Sequence, residues 1–391
     1  MRKEKRMVEQ MKAKRLSGIG EYYFSQKLRE IDLLNKEGHD VLNLGIGSPD
    51  LAPPVSVTKA LVDGLNDPQF HKYQSYKGIP ELRKAFSDWY RQFYQVTLDP
   101  DSEILPLIGS KEGIMHVSMA FLNEGDEVLV PDPGYPMYSS ATKLAGGIPR
   151  GYALKEENNY EPDLDELSAM DLSGVKIMWI NYPHMPTGTE ASQELLNELI
   201  DFAEEHQLIL INDNPYSFTL TETPRSVLKD RKEKSQVLEL NSLSKSHNMA
   251  GWRVGVLCGN KSLIDEVLTF KSNMDSGMFR PVMLAAVEAL RQEEKWYTEL
   301  NRHYSERKKL ACQILNAINC TYSTSQAGMF VWARIPAEAG NGKNFSDVLL
   351  DKYRLFIPPG MIFGSEGEQY IRISLCSKPE QLKTALNRIR Q

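Results

Sequence analysis

Between residues 104 and 258, short apolar runs alternate with segments of helical periodicity. The runs span residues 104–108, 127–130, 148–153, 175–180, 208–212, 236–240 and 253–257. Strands that are separated by helices favour a mostly parallel sheet covered by helices on both faces. Ligands of such sheets bind beyond the carboxyl ends of the strands. The residues that directly follow each run are therefore the first candidates for a functional site.

Bulk composition excludes several other classes of protein. The 391 residues are enough for two domains, and 41% hydrophobic and 25% charged residues are typical of soluble globular proteins. A net charge of −6 argues against nucleic acid or an anionic membrane as a partner. No apolar run approaches the length of a membrane span.

The four cysteines lack metal or redox spacing, which predicts reduced thiols, no metal site and a cytoplasmic protein. The basic N-terminal segment lacks the apolar stretch of a secretion signal, so we expect it to form an arm.

One lysine stands out for its chemistry. Lys245 lies in a polar turn with Ser242 and Ser244, between two apolar runs, and Arg253 follows eight residues later. A lysine between buried strands is partly desolvated, which lowers its pKa and makes its neutral amine available to attack a carbonyl. The adjacent hydroxyl groups and the arginine suit a phosphate dianion. The turn therefore favours an aldehyde cofactor with a phosphate group. The alternative is a surface lysine, with Arg253 paired to a carboxylate.

Other strand-end residues suit the same kind of ligand. Ser110 and Lys111 open a helix after a glycine turn, and unpaired N–H groups at a helix start attract anions. Tyr135 lies between prolines that would hold its ring rigid. Asp213 directly follows a buried run, where a carboxylate needs a cation unless it merely caps a turn. Arg372 alternates with apolar neighbours, and most such arginines are solvated.

The longer pattern at residues 242–255, S-L-S-K-S-x-x-x-A-G-W-R-x-G, resembles the lysine motif of the class I/II aminotransferases, which are fold-type I pyridoxal-phosphate enzymes. The segments D-P-G-Y-P at 132–136 and Y-x-x-x-x-G-x-P at 73–80 also match, in the family's order. In look the chain is closest to the LL-diaminopimelate and aspartate aminotransferase-like enzymes. The resemblance extends from about residue 22 to residue 375.

The resemblance implies an α/β fold with a mostly parallel central sheet and helices on both faces, plus a smaller α+β domain. The expected division is residues 1–48 for the arm and part of the small domain, 49–285 for the large cofactor-binding domain, and 286–391 for the small C-terminal domain. It also implies a homodimer with shared active sites. Tyr73, or else Tyr76, would reach the phosphate of the neighbouring subunit's cofactor.

The resemblance also implies a role for each matching residue. Lys245 would bind pyridoxal 5'-phosphate covalently and, once released, move the substrate proton. Asp213 would pair with the ring nitrogen, and Tyr216 would donate to the phenolic oxygen. The remaining contacts divide into phosphate ligands (Ser110, Lys111, Ser242, Ser244 and Arg253), a ring support (Tyr135), a cofactor-side amide (Asn181), and substrate contacts (Gly47, Arg372 and Tyr22).

One position departs from the family pattern. Residues 181–188 read N-Y-P-H-M-P-T-G, and Met185 stands where the family has an asparagine that donates to the phenolic oxygen. A thioether cannot donate a hydrogen bond. The donor is then Tyr216 alone, unless His184 turns inward and supplies a second.

The implied activity is the transfer of an amino group from an L-amino acid to a 2-oxo acid. The same motifs would serve a C–S β-lyase or a cyclopropane-carboxylate synthase. A non-catalytic amino-acid sensor is a more remote alternative, because the segment before residue 22 is too short for a DNA-binding module. The motifs leave the physiological substrate pair open.

Overall fold

The computed structural model describes residues 11–16, 18–21, 23–232 and 235–391. The strands are β1 (Leu42–Asn43), β2 (Ile104–Leu107), β3 (Glu127–Asp132), β4 (Ile148–Ala153), β5 (Val175–Ile180), β6 (Ile209–Asp213), β7 (Val237–Ser242), β8 (Gly255–Gly259), β9 (Phe330–Arg334), β10 (Leu355–Phe356) and β11 (Tyr370–Ser374).

The helices within the described residues are α1 (Tyr23–Lys36), α2 (Val55–Leu65), α3 (Pro80–Tyr94), α4 (Ser110–Phe121), α5 (Met137–Leu144), α6 (Leu164–Ser168), α7 (Gln193–Glu205), α8 (Leu243–Ser246), α9 (Lys261–Ser272), α10 (Arg280–Leu290), α11 (Glu294–Ala317), α12 (Gly342–Tyr353) and α13 (Pro379–Arg390). None of them is both long enough and apolar enough to cross a membrane.

Seven strands form the central sheet in the order β2-β8-β7-β6-β5-β3-β4. β8 pairs antiparallel with both β2 and β7, and the other four pairs of neighbouring strands in this sheet are parallel. The mostly parallel sheet predicted from the alternating runs is therefore confirmed. The last strand begins two residues later than the apolar run predicts. Arg253 has a left-handed backbone (φ 56°) at the end of a 3-10 turn, so the strand begins only at Gly255.

Both faces of the sheet are covered by apolar side chains. Along β5, Ile177 and Trp179 belong to one hydrophobic cluster, whereas Met178 and Ile180 belong to another. Successive residues of a strand point to opposite faces, and both faces are buried here. The continuous apolar run of β5 is explained by this double burial.

A third apolar cluster lies around β9 and β11, which pair antiparallel. The N-terminal segment joins this region, because β1 pairs with β10 in parallel. Arg307 of α11 connects the segment after β1 to the end of β11. It contacts both carboxylate oxygens of Asp50, at 2.6 and 3.0 Å, and donates to the carbonyl of Leu375 at 3.0 Å. The segment that contains Gly47 is therefore tethered to the strand that carries Arg372.

Candidate active site

A cavity of about 570 Å³ lies at the carboxyl ends of the central strands. Ser110 follows β2, Tyr135 follows β3, Asn181 follows β5, Asp213 ends β6 and Ser242 ends β7. The structure thus brings the strand-end residues of the sequence together. The predicted site residues that line the cavity are Gly47, Ser110, Lys111, Tyr135, Asn181, Asp213, Tyr216, Ser242, Ser244, Lys245, Arg253 and Arg372.

Lys245 lies on the one-turn helix α8, directly after β7. Ser242 caps this helix, and its hydroxyl oxygen accepts from the amide of Ser244 at 3.1 Å. The Lys245 ammonium donates to the carbonyl oxygen of Gly47 at 2.6 Å. Burial lowers the pKa of Lys245, and the nearby cations Arg372 and Arg253 lower it further. The neutral amine that a nucleophile or a general base requires is thereby made more accessible.

Asp213 has one satisfied carboxylate oxygen and one that lacks a partner. Its Oδ2 accepts from the hydroxyl of Tyr138 at 2.9 Å, whereas its Oδ1 is buried without a hydrogen-bond partner. Burial raises the pKa of Asp213 to about 7, and the charge of Glu239 adds to this effect. A buried carboxylate in this state gains from any cationic donor placed against Oδ1.

The Tyr138 contact was not predicted from the sequence. Tyr138 lies on α5, three residues after Tyr135, and its ring stacks on Trp179 with centroids 5.0 Å apart. The hydroxyl that approaches Asp213 comes from a residue 75 positions away in the chain. The three-residue spacing of Tyr135 and Tyr138 was the available signal, and it indicates packing as readily as a polar contact.

The start of α4 forms one end of the cavity, here called the anion end. Gly109 precedes the helix with φ 85°, and a side-chain Cβ there would lie 2.1 Å from a guanidinium nitrogen of Arg253. The helix start, the hydroxyls of Ser242 and Ser244, and the exposed Arg253 surround this end. A helix start, hydroxyl groups and a guanidinium together form a suitable site for a phosphate.

Arg372 forms the opposite end, here called the carboxylate end. Its guanidinium lies between the rings of Phe330 and Phe363, 3.7 and 4.5 Å from their centroids. One nitrogen donates to the carbonyl of Gly45 at 3.1 Å, and only 7% of the residue is exposed. The ordinary interpretation of Arg372 as a solvated arginine is therefore wrong. Burial lowers its pKa to about 10. Phe330 is buried and also forms a wall of the cavity.

The side chain of Asn181 positions the backbone of its neighbours. Its Nδ2 donates to the backbone carbonyl of Asp213, and its Oδ1 accepts from the backbone amide of Met185 at 2.8 Å. His184 does not line the cavity, and its Nδ1 contacts the hydroxyl of Thr187 at 2.8 Å. The alternative in which His184 turns inward as a donor is contradicted by this position. Burial lowers the pKa of His184 to about 3.

Of the three other predicted tyrosines, Tyr73 and Tyr76 do not line the cavity of this chain. Tyr73 is 90% exposed and Tyr76 is 44% exposed. Tyr22 lies outside the described residues.

One group of potential metal ligands occurs within the described residues: Glu112, His116 and Asp275. The buried ammonium of Lys271 lies 2.7 Å from Asp275 and already supplies a cation there. The group joins α4 to the segment after α9.

Comparisons with known proteins decide the family. Residues 39–389 match the model of the family described as aminotransferase class I and II. The chain belongs to this family. The LL-diaminopimelate aminotransferase of Aquifex aeolicus is 40% identical over 378 residues, which are 96% of this chain and 97% of the relative. The enzyme of the same name from Halothermothrix orenii is 39% identical over 97% of both chains.

Solved structures agree with this assignment. Substrate-bound BacF from Bacillus subtilis is 33% identical, with a TM-score of 0.91 over 97% of both chains. A mutant aspartate aminotransferase of Thermus thermophilus is 25% identical, with a TM-score of 0.90 over 96% of this chain and 98% of that one. The central sheet is therefore that of fold-type I aminotransferases.

Aminotransferases of this class use pyridoxal 5'-phosphate. The cavity fits this cofactor in two independent respects. The buried Oδ1 of Asp213 lacks a partner and suits a protonated ring nitrogen. At the start of α4, Gly109 has no side chain, and a Cβ there would collide with the guanidinium of Arg253. The space beside Arg253 therefore stays open for a phosphate. This aminotransferase is therefore a pyridoxal-phosphate-dependent transferase.

Proposed function

We propose that this aminotransferase transfers the α-amino group of an L-amino acid to a 2-oxo acid with Lys245 as its proton carrier and Arg372 as its carboxylate ligand. The observation that supports these roles most strongly is the contact between the Lys245 ammonium and the Gly47 carbonyl. It places the lysine nitrogen beside the segment that Arg372 also contacts through Gly45. A substrate whose carboxylate binds Arg372 then presents its α-carbon near Lys245.

The residues that line the cavity have distinct roles in this scheme. Bound pyridoxal phosphate supplies an electron-accepting ring that stabilises negative charge at the substrate α-carbon. Lys245, once its amine is free, takes the α-proton and returns it, and the Gly47 carbonyl orients its N–H groups. With the cofactor bound, the unpartnered oxygen of Asp213 would keep the ring nitrogen protonated. Tyr216, which lines the cavity, would donate to the phenolic oxygen.

The rest of the cavity binds and positions the two ligands. We assign the cofactor phosphate to Ser110, Lys111, Ser242, Ser244 and Arg253, and the ring face to Tyr135. Asn181 maintains the positions of Asp213 and Met185. Gly47 and Arg372 hold the substrate carboxylate, and Tyr22 is proposed as a further substrate contact from the arm.

LL-diaminopimelate is the first amino donor to test, because the curated relatives that carry its name cover nearly the whole chain. Holoenzyme mixed with the amino acid alone should convert its cofactor to the amine form once and then stop. Addition of 2-oxoglutarate should restore the original absorbance. Continuous release of pyruvate and ammonia without an oxo acid would instead identify a β-lyase. Other amino acids, with 2-oxoglutarate or pyruvate as the acceptor, form the comparison set.

We also propose a homodimer with shared active sites. Two surface segments support it: Tyr73 and Tyr76 lie on one, and Met274 and Phe279 on the other, and all four side chains are more than two-fifths exposed. The segments touch, because a side chain at Gly277 would lie 2.7 Å from the carbonyl oxygen of Gln74. Exposed apolar surface of this kind is typical of interfaces.

Subunit mixing tests the shared site. A mixture of inactive Lys245→Ala and inactive Tyr73→Phe subunits should regain activity through hybrid dimers, which contain one intact site. A fully active Tyr73→Phe enzyme, or an active monomer in sedimentation, would contradict the proposal.

We further propose the division into segments 1–48, 49–285 and 286–391, which is supported by the separate apolar clusters of the central sheet and of β9 and β11. A cytoplasmic location is proposed from the four cysteines, all of which are unpaired.

A further inference from the structure

Met185 lies directly against the guanidinium of Arg372. Its sulfur is 3.2 Å from Nη1, and the residue is 7% exposed. The backbone of Met185 is held in place by the hydrogen bond from its amide to Asn181. The thioether is thus a fixed part of the carboxylate end.

The donors of Arg372 are poorly satisfied by the protein. A guanidinium has five N–H groups and no acceptor. Nη2 donates to the carbonyl of Gly45, Nε is buried without a hydrogen-bond partner, and the contact of Nη1 among the described residues is the Met185 sulfur. A thioether is a weak acceptor, so the hydrogen bond from Nη1 to the Met185 sulfur is weak. Most of the donor capacity of Arg372 is left for another acceptor.

The described residues around Arg372 include no anion that accepts these hydrogen bonds. Among the described residues that line the cavity, the one carboxylate is Asp213, and no ion pair joins it to Arg372. The faces of the guanidinium are occupied by Phe330 and Phe363, whose rings attract the cation but accept no in-plane hydrogen bond. A buried cation in such surroundings binds a carboxylate strongly, since charge-assisted hydrogen bonds replace unmade ones.

We propose that Met185 keeps Nη1 of Arg372 available for the carboxylate of the substrate. An amide at this position would offer a carbonyl oxygen to Nη1, and the substrate would have to compete with it. The thioether fills the same space without competing. This inference rests on the proposed role of Arg372 as the substrate's carboxylate ligand.

The test compares Met185→Gln with Met185→Leu in the holoenzyme. Glutamine and leucine are both close to methionine in size, but only glutamine presents a strong acceptor. The probe is propionate, which has a carboxylate and an α-carbon but no amino group. Its binding is measured as a change in the visible absorbance of the bound cofactor at constant ionic strength.

Wild-type and Met185→Leu proteins should bind propionate with dissociation constants within about a factor of two. Met185→Gln should bind it on the order of tenfold more weakly, because one charge-assisted hydrogen bond must be broken first. Met185→Asn provides a second amide if the glutamine variant folds poorly. Equal affinity in wild type and in the folded amide variant, or an equal loss in the leucine variant, would overturn the inference.

The Arg372→Ala variant separates this inference from the proposed function. If propionate binding is lost in Arg372→Ala but unchanged by an amide at position 185, the role of Arg372 stands and the role of Met185 is refuted. If Arg372→Ala binds propionate as well as wild type does, the carboxylate assignment itself is refuted, and the inference with it.

Discussion

The two ends of the cavity bind anions by different means. At the anion end, a helix start, two serine hydroxyls and the exposed Arg253 converge next to a glycine. At the carboxylate end, Arg372 is buried between two aromatic rings and is satisfied mainly by one carbonyl. The first end spreads a charge over many donors, whereas the second concentrates the interaction in one desolvated cation.

This difference suits the two ligands. A cofactor that stays bound through many reaction cycles is well served by numerous contacts on the rigid central sheet. A substrate that must enter and leave is better served by a single strong, oriented contact. We therefore expect changes at the anion end to affect cofactor retention and changes at the carboxylate end to affect turnover.

The sharpest test of this distinction is Arg372→Ala. Loss of the buried charge-assisted contact should cost roughly 2–5 kcal/mol in kcat/KM. Cofactor content should be unchanged. Arg334→Ala is a matched control, because Arg334 lies on the paired strand β9 and binds Glu156 at the surface. A variant that loses its cofactor, or retains full kcat/KM, would show that the two ends are not separate.

Asp213→Asn tests whether the buried carboxylate in the middle of the cavity requires a cationic partner. Because the pKa of Asp213 is raised from 3.8 to about 7, the folded cofactor-free protein binds more protons than the unfolded chain in this range. Its free energy of unfolding should therefore fall as the pH rises from about 4 to 7. Above pH 7, Asp213→Asn should be more stable than wild type by about 2–4 kcal/mol.

Denaturant titrations of the cofactor-free proteins measure this difference. Near pH 4 both side chains are neutral, so the gap should close, which provides an internal control. In the holoenzyme the same substitution should weaken cofactor binding, because the ring nitrogen loses its anion. A stability difference that is independent of pH would contradict the buried, unpaired carboxylate.

At the anion end, Arg253→Ala should weaken cofactor binding by about 1.5–3 kcal/mol, the usual contribution of one hydrogen bond to a charged group. With saturating cofactor, the KM for the amino acid should stay close to that of wild type. Equilibrium dialysis of the cofactor and steady-state kinetics measure the two quantities separately. An increased KM with normal cofactor affinity would reverse the assignment of the two ends.

Met185→Asn should produce the smallest effect. A new amide donor to the phenolic oxygen should lower the pKa of the lysine–cofactor linkage by about 1–2 units, since it stabilises the deprotonated form. Titration of the visible absorbance against pH measures this shift. Met185→Leu should cause none, and neither should His184→Ala, because His184 lies outside the cavity. A higher pKa in His184→Ala would contradict that position.

The anion end was largely predictable from the sequence because its residues directly follow the apolar runs of one sheet. The strand-end position of Ser110 could be inferred from periodicity alone, and so could that of Asp213 in the middle of the cavity. Only the backbone of Arg253 differed, because a left-handed residue gives no signal in apolar periodicity.

The carboxylate end was less predictable, because it is assembled from segments far apart in the chain. Gly45, Met185 and Phe363 all contact Arg372, and no local pattern connects them. The burial of Arg372 depends on this assembly, so the strand pattern alone favoured a solvated arginine. The resemblance to a family supplied its role, but not the aromatic rings that enclose it.

The central claim is that the buried lysine after β7 binds the cofactor and moves the substrate proton. Borohydride reduction of the holoenzyme, followed by proteolysis and mass spectrometry, tests its first half directly. The pyridoxyl group should be found on Lys245, and the Lys245→Ala protein should carry no label. A label on Lys111, which lines the same cavity, or on Lys271 would contradict the account.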